Sequence, residues 1–301
     1  MILINKKWIW FSLSGILIIA SILMLFFWKL NLGLDFKGGS LVEIEFIKTK
    51  DIKINEINKI LNEFKIESFQ VQKSGDNSVF IKAKSISKDQ LESIEKQMEE
   101  RIGDLNEKKY ENVGPTVSKD LAQKAYWSLA LASIFIILYI AYAFRKVPKP
   151  ANSFAFGVCA VIALVHDAII LLGFFVFLGK YYGVEIDSLF ITAVLTVIGY
   201  SVHDTIVIFD RIRENLIKYS ENSFDKNIID SLYQTLDRSI TTSFTVIIVL
   251  AALLVFGGES IKWFVVALFV GTIIGTYSSI FVASQLLSVW HNKIIKNSNV
   301  S

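Results

Sequence analysis

The sequence predicts an α-helical membrane protein. Six transmembrane helices, one plus five, flank an extracytoplasmic α+β ferredoxin-like domain set between helices one and two. Three observations carry that expectation. Of 301 residues, 53% are hydrophobic, and they gather into six runs long enough to cross about 30 Å of hydrocarbon at about 1.5 Å per residue. A stretch rich in Lys, Glu, Asn and Ile follows the first run. Basic residues collect in alternate loops, which sets orientation. The chain thus divides into an anchor (1–28), an outer domain (29–124), a five-helix membrane domain (125–290) and a cytoplasmic tail (291–301).

The runs lie near 8–28, 125–144, 153–178, 188–209, 240–257 and 261–288. Only three prolines and as many as 23 phenylalanines suit long, uninterrupted helices in lipid. Lys6 and Lys7 precede the first run, as in a signal peptide. It lacks a small-x-small cleavage site and exceeds a signal core in length, so a retained anchor is expected. Arg145, Lys146 and Lys149 follow the second run. Arg211, Arg213, Lys218, Lys226 and Arg238 follow the fourth, and Lys293 and Lys296 the sixth. The alternate short loops carry only Lys180 and Lys262. Both termini are therefore expected in the cytoplasm and residues 29–124 outside. The single cysteine, Cys159, excludes a disulfide within the chain.

Within the outer domain, strand and helix periods alternate. Ser40–Ile47 reads as a strand and Ile54–Phe64 as a helix. Ile66–Lys73 and Ser78–Lys84 read as strands joined by a turn at Ser74–Asn77. Ser87, with Gln90 three residues on, opens a second helix as a capping box. A short strand near Tyr110–Val113 closes a strand–helix–strand–strand–helix–strand order, the split motif of ferredoxin-like domains. The domain holds no His or Cys, which argues against a metal or nucleophile site. Its ordinary reading is a docking module. GLDFKGGS (33–40) and VGPTVS (113–118) bracket it. Asp35 suits capping of backbone amides, Gly38 and Gly39 permit unusual backbone angles, and Gly114-Pro115 marks a turn. Phosphate-loop spacing is absent, so the glycines do not predict nucleotide binding.

The chemistry concentrates in the membrane. Asp204 sits inside the fourth run, where a carboxylate costs a few kcal/mol or more, and such groups mark ion or proton pathways. Tyr200, Ser201, Val207 and Ile208 share its helical face, while His203 is offset by about 100°. Asp237-Arg238-SITTSFT then places Arg238 at the mouth of the fifth run, among Ser239, Thr241, Thr242, Ser243 and Thr245. His203, Thr241, Thr242 and Ser243 are candidates to line a pathway, with helix packing the equal alternative. His166-Asp167 echoes His203-Asp204 in the third run. Asp167 is a second candidate carboxylate, for which a structural partnership with a hydroxyl or a tyrosine is the more ordinary reading. Phe224, Ile228, Ile229, Leu232, Tyr233 and Leu236 space out an amphipathic helix expected along the inner surface. Gly271, Gly275 and Ser279 form a small-residue stripe for close helix contact, expected to serve a partner subunit too.

These words, in this order, resemble the SecF family of protein-export subunits. GLDFKGGS, VGPTVS, SVHDTIVIFDRIREN (201–215), RSITTSFT (238–245) and GTIIGTYSSIFVAS (271–284) carry the likeness, which covers nearly the whole chain. The resemblance implies a non-enzymatic subunit in the cytoplasmic membrane of a prokaryote. It implies work with a SecD-like subunit beside the SecYEG channel, acting on translocating unfolded polypeptides, and it admits a small auxiliary membrane subunit. It implies no cofactor beyond the proton gradient, no metal and no nucleic acid, with membrane lipid as surroundings. The family's fourth-span Asp and fifth-span Arg map onto Asp204 and Arg238 as the proton-coupling pair. His203 stands where Asn is common, which changes the hydrogen bonding beside Asp204. Two other readings remain open. A proton-coupled small-molecule or lipid exporter of the same superfamily would want a larger outer domain. A passive assembly scaffold for the translocon would not need a buried carboxylate.

The loop charges yield the first expected outcome. Accessibility reporters at Lys149, Ser220 and Asn299 label from the cytoplasm, and one at Asn77 labels from outside. A cytoplasmic Asn77 would overturn the architecture.

Overall fold

The computed structural model describes residues 6–47, 52–74, 77–145, 147 and 152–298. Gly75 and Asp76 of the expected turn, Lys146 and Lys149 of the expected inner loop, and the tail beyond 298 lie outside them. Two compact units separate: Met1–Asn31 with Trp127–Ser301, and Leu32–Tyr126.

The smaller unit orders its elements as α2 (Leu34–Lys37), β1 (Gly39–Phe46), α3 (Ile54–Glu63), β2 (Gln70–Ser74), β3 (Ser78–Ala83), α4 (Lys88–Arg101) and β4 (Leu105–Val113). The four strands form one sheet in the order β2-β3-β1-β4, with every pairing antiparallel. Val42, Ile44, Phe46, Ile57, Ile60, Leu61, Val79, Ile81, Leu91, Ile94 and Met98 bury themselves between sheet and helices. Alternate strand residues and one stripe of each helix supply this core, as period and burial require. Ser87 and Gln90 form the full capping box on α4. Two details depart from the expected strands. Residues 66–69 are not strand, because Lys65 and Ser68 take positive φ of 53° and 50° and break the extended run. The last strand starts at Leu105, and a register shift between Glu43 and Ile44 keeps it paired along β1.

The two bracketing motifs meet in this unit. Gly38 and Gly39 have φ of 73° and 130°. A Cβ on Gly39 would lie 2.6 Å from the Ala83 carbonyl oxygen. One on Gly38 would lie 3.2 Å from both Ser118 Oγ and the Val113 carbonyl oxygen. Ser40, next in the motif, accepts from the Ile86 amide at 2.7 Å, and Tyr110 donates to the Ile86 carbonyl at 2.6 Å. The glycine pair thus lets β1 pass close enough for Ser40 to hold the approach to α4. Asp35 sits in the first turn of α2. Gly114 meets nothing within 4 Å, so its place is a simple strand-to-helix junction. Pro115 then opens α5 (Pro115–Ala143) at the first helical position, where its missing N–H costs nothing.

The larger unit contains α1 (Lys7–Trp28), most of α5, α6 (Ser153–Tyr182), α7 (Ser188–Lys218) and α8 (Phe224–Phe256). A final rod follows a short 3₁₀ turn: α9 (Lys262–Ser278), a π-helical segment (Ser279–Ala283) and α10 (Ser284–Ser298). Six helices are long and apolar enough to cross a membrane among the described residues. Asn152, Asp187 and Ser223 cap α6, α7 and α8 by accepting from backbone amides, and Gly183 closes α6 in the left-handed region. α1 buries only Ser14 and Ser21. Ser21 fills the space a Gly173 side chain would take, with 2.3 Å between the Cβ positions. Ser14 exchanges a hydrogen bond with Tyr277 at 2.9 Å, and Trp10 stacks on Phe281 at 4.0 Å.

One expectation is corrected here. Residues 224–236 are not a separate helix along the membrane surface. They form the first part of α8, a continuous helix of 33 residues. Their apolar face has a better partner than the interface: Phe224, Ile228 and Leu232 bury in one core with Ile208, Ile212 and Leu216 of α7. Asn215 locks the hairpin by donating to Ser231 Oγ at 2.7 Å and Gln234 Oε1 at 3.0 Å.

Gly39→Ala tests the outer fold. Positive φ and the Ala83 contact together should cost roughly 2 kcal/mol or more. Hydrogen exchange at β1 and β3 amides in the full chain reads it out. Unchanged protection would show that the close approach is dispensable.

Candidate functional site

Two carboxylates lie at matching depth in the helical bundle. Asp204 is about 24 Å along α7 from Ser188, and Asp167 about 22 Å along α6 from Tyr182, at 1.5 Å per residue. Both are buried, Asp167 completely. A buried polar group must find partners inside the protein, and the two carboxylates differ in how well they do.

Asp167 is saturated. His166 Nδ1 lies 2.9 Å from Oδ1, while Ser201 of α7 and Ser278 of α9 donate to Oδ2 at 2.5 and 2.8 Å. One side chain therefore ties three helices. The hub continues outward: His166 lies tilted against Tyr277, whose hydroxyl reaches Ser14 and the Trp10 carbonyl of α1. His166 Nε2 is buried and has no hydrogen-bond partner among the described residues.

Asp204 is only half satisfied. Ser239 donates to Oδ1 at 2.6 Å, and buried Oδ2 has no hydrogen-bond partner among the described residues. Arg238 and His203 act on the carboxyl through space alone, and both side chains are exposed. The structure thus brings Ser239, rather than Arg238, onto the carboxylate. Helical phase explains this. Ser239 and Ser243 are one turn apart and both face inward, whereas Arg238, Thr241 and Thr242 turn outward and are exposed. Ser243 joins a second hydroxyl set, accepting from Tyr200 at 2.8 Å and meeting Thr276 Oγ1 at 2.6 Å. Of the four pathway-lining candidates, Ser243 is inside this network; His203, Thr241 and Thr242 are on the outer faces.

Several participants escaped the sequence reading: Ser201 and Ser278 as partners of Asp167, Ser239 on Asp204, and Tyr277. Their signal was the helical phase of hydroxyls relative to each carboxylate. Among the described residues, no group of three His, Cys, Asp or Glu side chains could hold a metal ion.

The glycine stripe forms the expected close helix contact, as a seam within the chain between α9 and α7. A Cβ on Gly271 would come within 2.3 Å of Val197 Cγ2, and one on Gly275 within 3.0 Å of Ser201 Cβ. Ser279 continues the line, donating to the Ser201 carbonyl at 3.2 Å and meeting Thr205 Oγ1 at 2.8 Å. Close approach of α9 to α7 is what allows Ser278 to reach Asp167.

Helices of this length, closed around buried ionisable groups, define a polytopic membrane protein with a polar interior. Comparison with known proteins makes the class specific. A family model described as "Protein export membrane protein SecD/SecF, C-terminal" matches residues 93–293, and one described as "SecD/SecF GG Motif" matches residues 24–48. The chain is 43% identical over 306 residues to the protein translocase subunit SecF of Thermobaculum terrenum, covering 97% of this chain and 94% of that one. It is 37% identical to the SecF of Anaerolinea thermophila, covering 96% and 94%. The crystal structure of SecDF, a translocon-associated membrane protein from Thermus thermophilus, superposes with a TM-score of 0.83 at 27% identity. That match covers 97% of this chain and 39% of the SecDF chain, so this chain spans well under half of that protein. The chain belongs to the SecF family of protein translocase subunits.

Asp167→Asn tests the hub. Asparagine keeps the shape but presents one acceptor oxygen where the carboxylate presents two. A stability loss of about 1–3 kcal/mol is expected, read as a lower melting temperature of the purified protein. An unchanged melting temperature would remove Asp167 as the tie between helices.

Proposed function

We propose that this chain assists polypeptide export through the Sec translocase, drawing on the proton-motive force through Asp204 and Arg238. The observation that carries the reading is the half-satisfied carboxyl of Asp204 in the bundle. An ionised carboxylate with one buried, unpaired oxygen is costly. The arrangement suits the protonated form, with Arg238 withdrawn. An Arg238 that approached would stabilise the ionised form, and one that withdrew would favour proton uptake. Coupling of this kind links proton passage to helix movement. One proton crossing ~150–200 mV supplies roughly 3.5–4.6 kcal/mol. Full reversal of a 1:99 equilibrium takes about 5.5, so one proton biases the outer domain strongly without reversing it completely. Asp167, saturated by three donors, is the second candidate in the coupling set.

The remaining parts of the reading have their own support. Strand order and antiparallel pairing favour a ferredoxin-like outer domain, and the loop charges favour its place outside the membrane, with both termini in the cytoplasm. Arg238, His203, Thr241 and Thr242 are polar and exposed on the outer faces of α7 and α8. In a bilayer such groups call for a covering neighbour. A SecD-like subunit fits, since the longer Bacillus subtilis relative is named SecDF and this chain matches 38% of it. The SecYEG channel and unfolded clients follow from the family role.

Mutation tests the pair. In inverted membrane vesicles containing the assembled complex, Asp204→Asn should abolish gradient-stimulated export while insertion and assembly persist. Arg238→Lys should be partly defective, because it keeps charge but loses the planar fork. Arg238→Met should approach the Asp204→Asn level, and the two defects should not add. Normal stimulation in Asp204→Asn vesicles would move the proton path elsewhere.

A further inference from the structure

The last membrane rod changes its winding beside the two carboxylates. Ser278 ends α9, and the π-helical segment begins at the next residue, Ser279. Single π turns inside α-helices occur frequently at functional positions. Both serines are fully buried. Ser278 is committed to Asp167 at 2.8 Å.

Ser279 is not so committed. It packs against Ser201 and Thr205, on the turn of α7 that carries Asp204, and among the described residues Oδ2 of that carboxyl has no hydrogen-bond partner. Its hydroxyl donates instead to the Ser201 carbonyl at a long 3.2 Å. Thr205 Oγ1, 2.8 Å away, can serve it as a donor throughout. A buried oxygen without a donor and a neighbouring hydroxyl with a weak acceptor form a natural exchange pair. Around Asp204, α8 contributes Arg238 and its own helix contributes His203; α6 presents Asp167 and His166 behind Ser201. The described residues of α9 and the π segment that hydrogen-bond in this region bring hydroxyls: Thr276, Tyr277, Ser278 and Ser279.

We propose that Ser279 is a positioning residue for Asp204: its hydroxyl turns from the Ser201 carbonyl to Oδ2 when the carboxyl is ionised, and back when a proton occupies that oxygen. Ser279 keeps its own proton throughout, and no covalent bond changes. The π turn lets Ser279 swing while Ser278 remains clamped. This rests on the reading that Asp204 exchanges a proton.

Ser279→Ala and Ser279→Thr decide it, in inverted vesicles containing the complete complex. Gradient-driven export is followed against pH, with Asp204→Asn alongside. Ser279→Ala should displace the pH midpoint by about one unit, the scale expected when a buried charge loses one donor. Ser279→Thr, which retains the hydroxyl, should restore it. In the purified complex above the pH midpoint, the carboxylate stretching band that disappears in Asp204→Asn should shift in Ser279→Ala. Should the alanine variant fail to assemble, Ser279→Cys, a weak donor of similar size, should give the same displacement. An unmoved midpoint and band with export lost in Asp204→Asn would overturn the role of Ser279 alone. Normal export in Asp204→Asn would overturn the proton-exchange reading beneath it.

Discussion

Buried polar groups with nowhere to find water govern this molecule. In a bilayer, Asp167 keeps its charge or its hydrogen bonds only if neighbouring helices supply donors. Ser201 of α7 and Ser278 of α9 do so, and His166 of its own helix meets the other oxygen. Much else follows from that demand. α9 must approach α7 closely, which is why glycine stands at 271 and 275 opposite Val197 and Ser201. Tyr277, carried on the same turn as Ser278, then reaches α1 and ties the amino-terminal helix to the bundle. Hydrogen bonds do in this interior what apolar burial does in a soluble core, because lipid gives apolar side chains little reason to prefer each other.

The two carboxylates differ in how fully the surrounding helices satisfy them. Both echo the same His-Asp pair in sequence, and both are buried. Asp167 has a partner on each oxygen, so a change in its protonation would break contacts between helices. Asp204 has one hydrogen-bond partner among the described residues, Ser239, which follows Arg238 on α8. Groups that must change charge repeatedly are better left incompletely satisfied, because each added bond deepens one state at the expense of the other.

Much of this was legible in the sequence. The apolar runs, the Ser87 capping box, the split order of the outer domain and the two glycine motifs all read directly, because each depends on local spacing. What did not read was relational. The hydroxyls of 238–245 appear as one cluster in the chain, but helical phase divides them between interior and exterior. The glycine stripe showed that something packs there without showing whether that was α7 or another subunit. Residues 224–236 read as a surface helix because their apolar face needs a partner, and spacing cannot tell a lipid surface from the end of α7. The strand at 66–69 failed because Lys65 and Ser68 turn left-handed, a conformation neither residue type advertises.

The unbroken course of α8 has a mechanical consequence. Its 33 residues make a rod of about 50 Å that carries Arg238 and Ser239 near its middle and packs Phe224 and Ile228 against α7 at one end. A rod cannot shift at its middle while both ends stay still. Any displacement of the α8 backbone at Arg238 is therefore levered along the whole helix. A tilt of roughly 5° about one end would carry the other by about 4 Å over that length. A small movement of the helix at its middle is in this way a larger one at its far end.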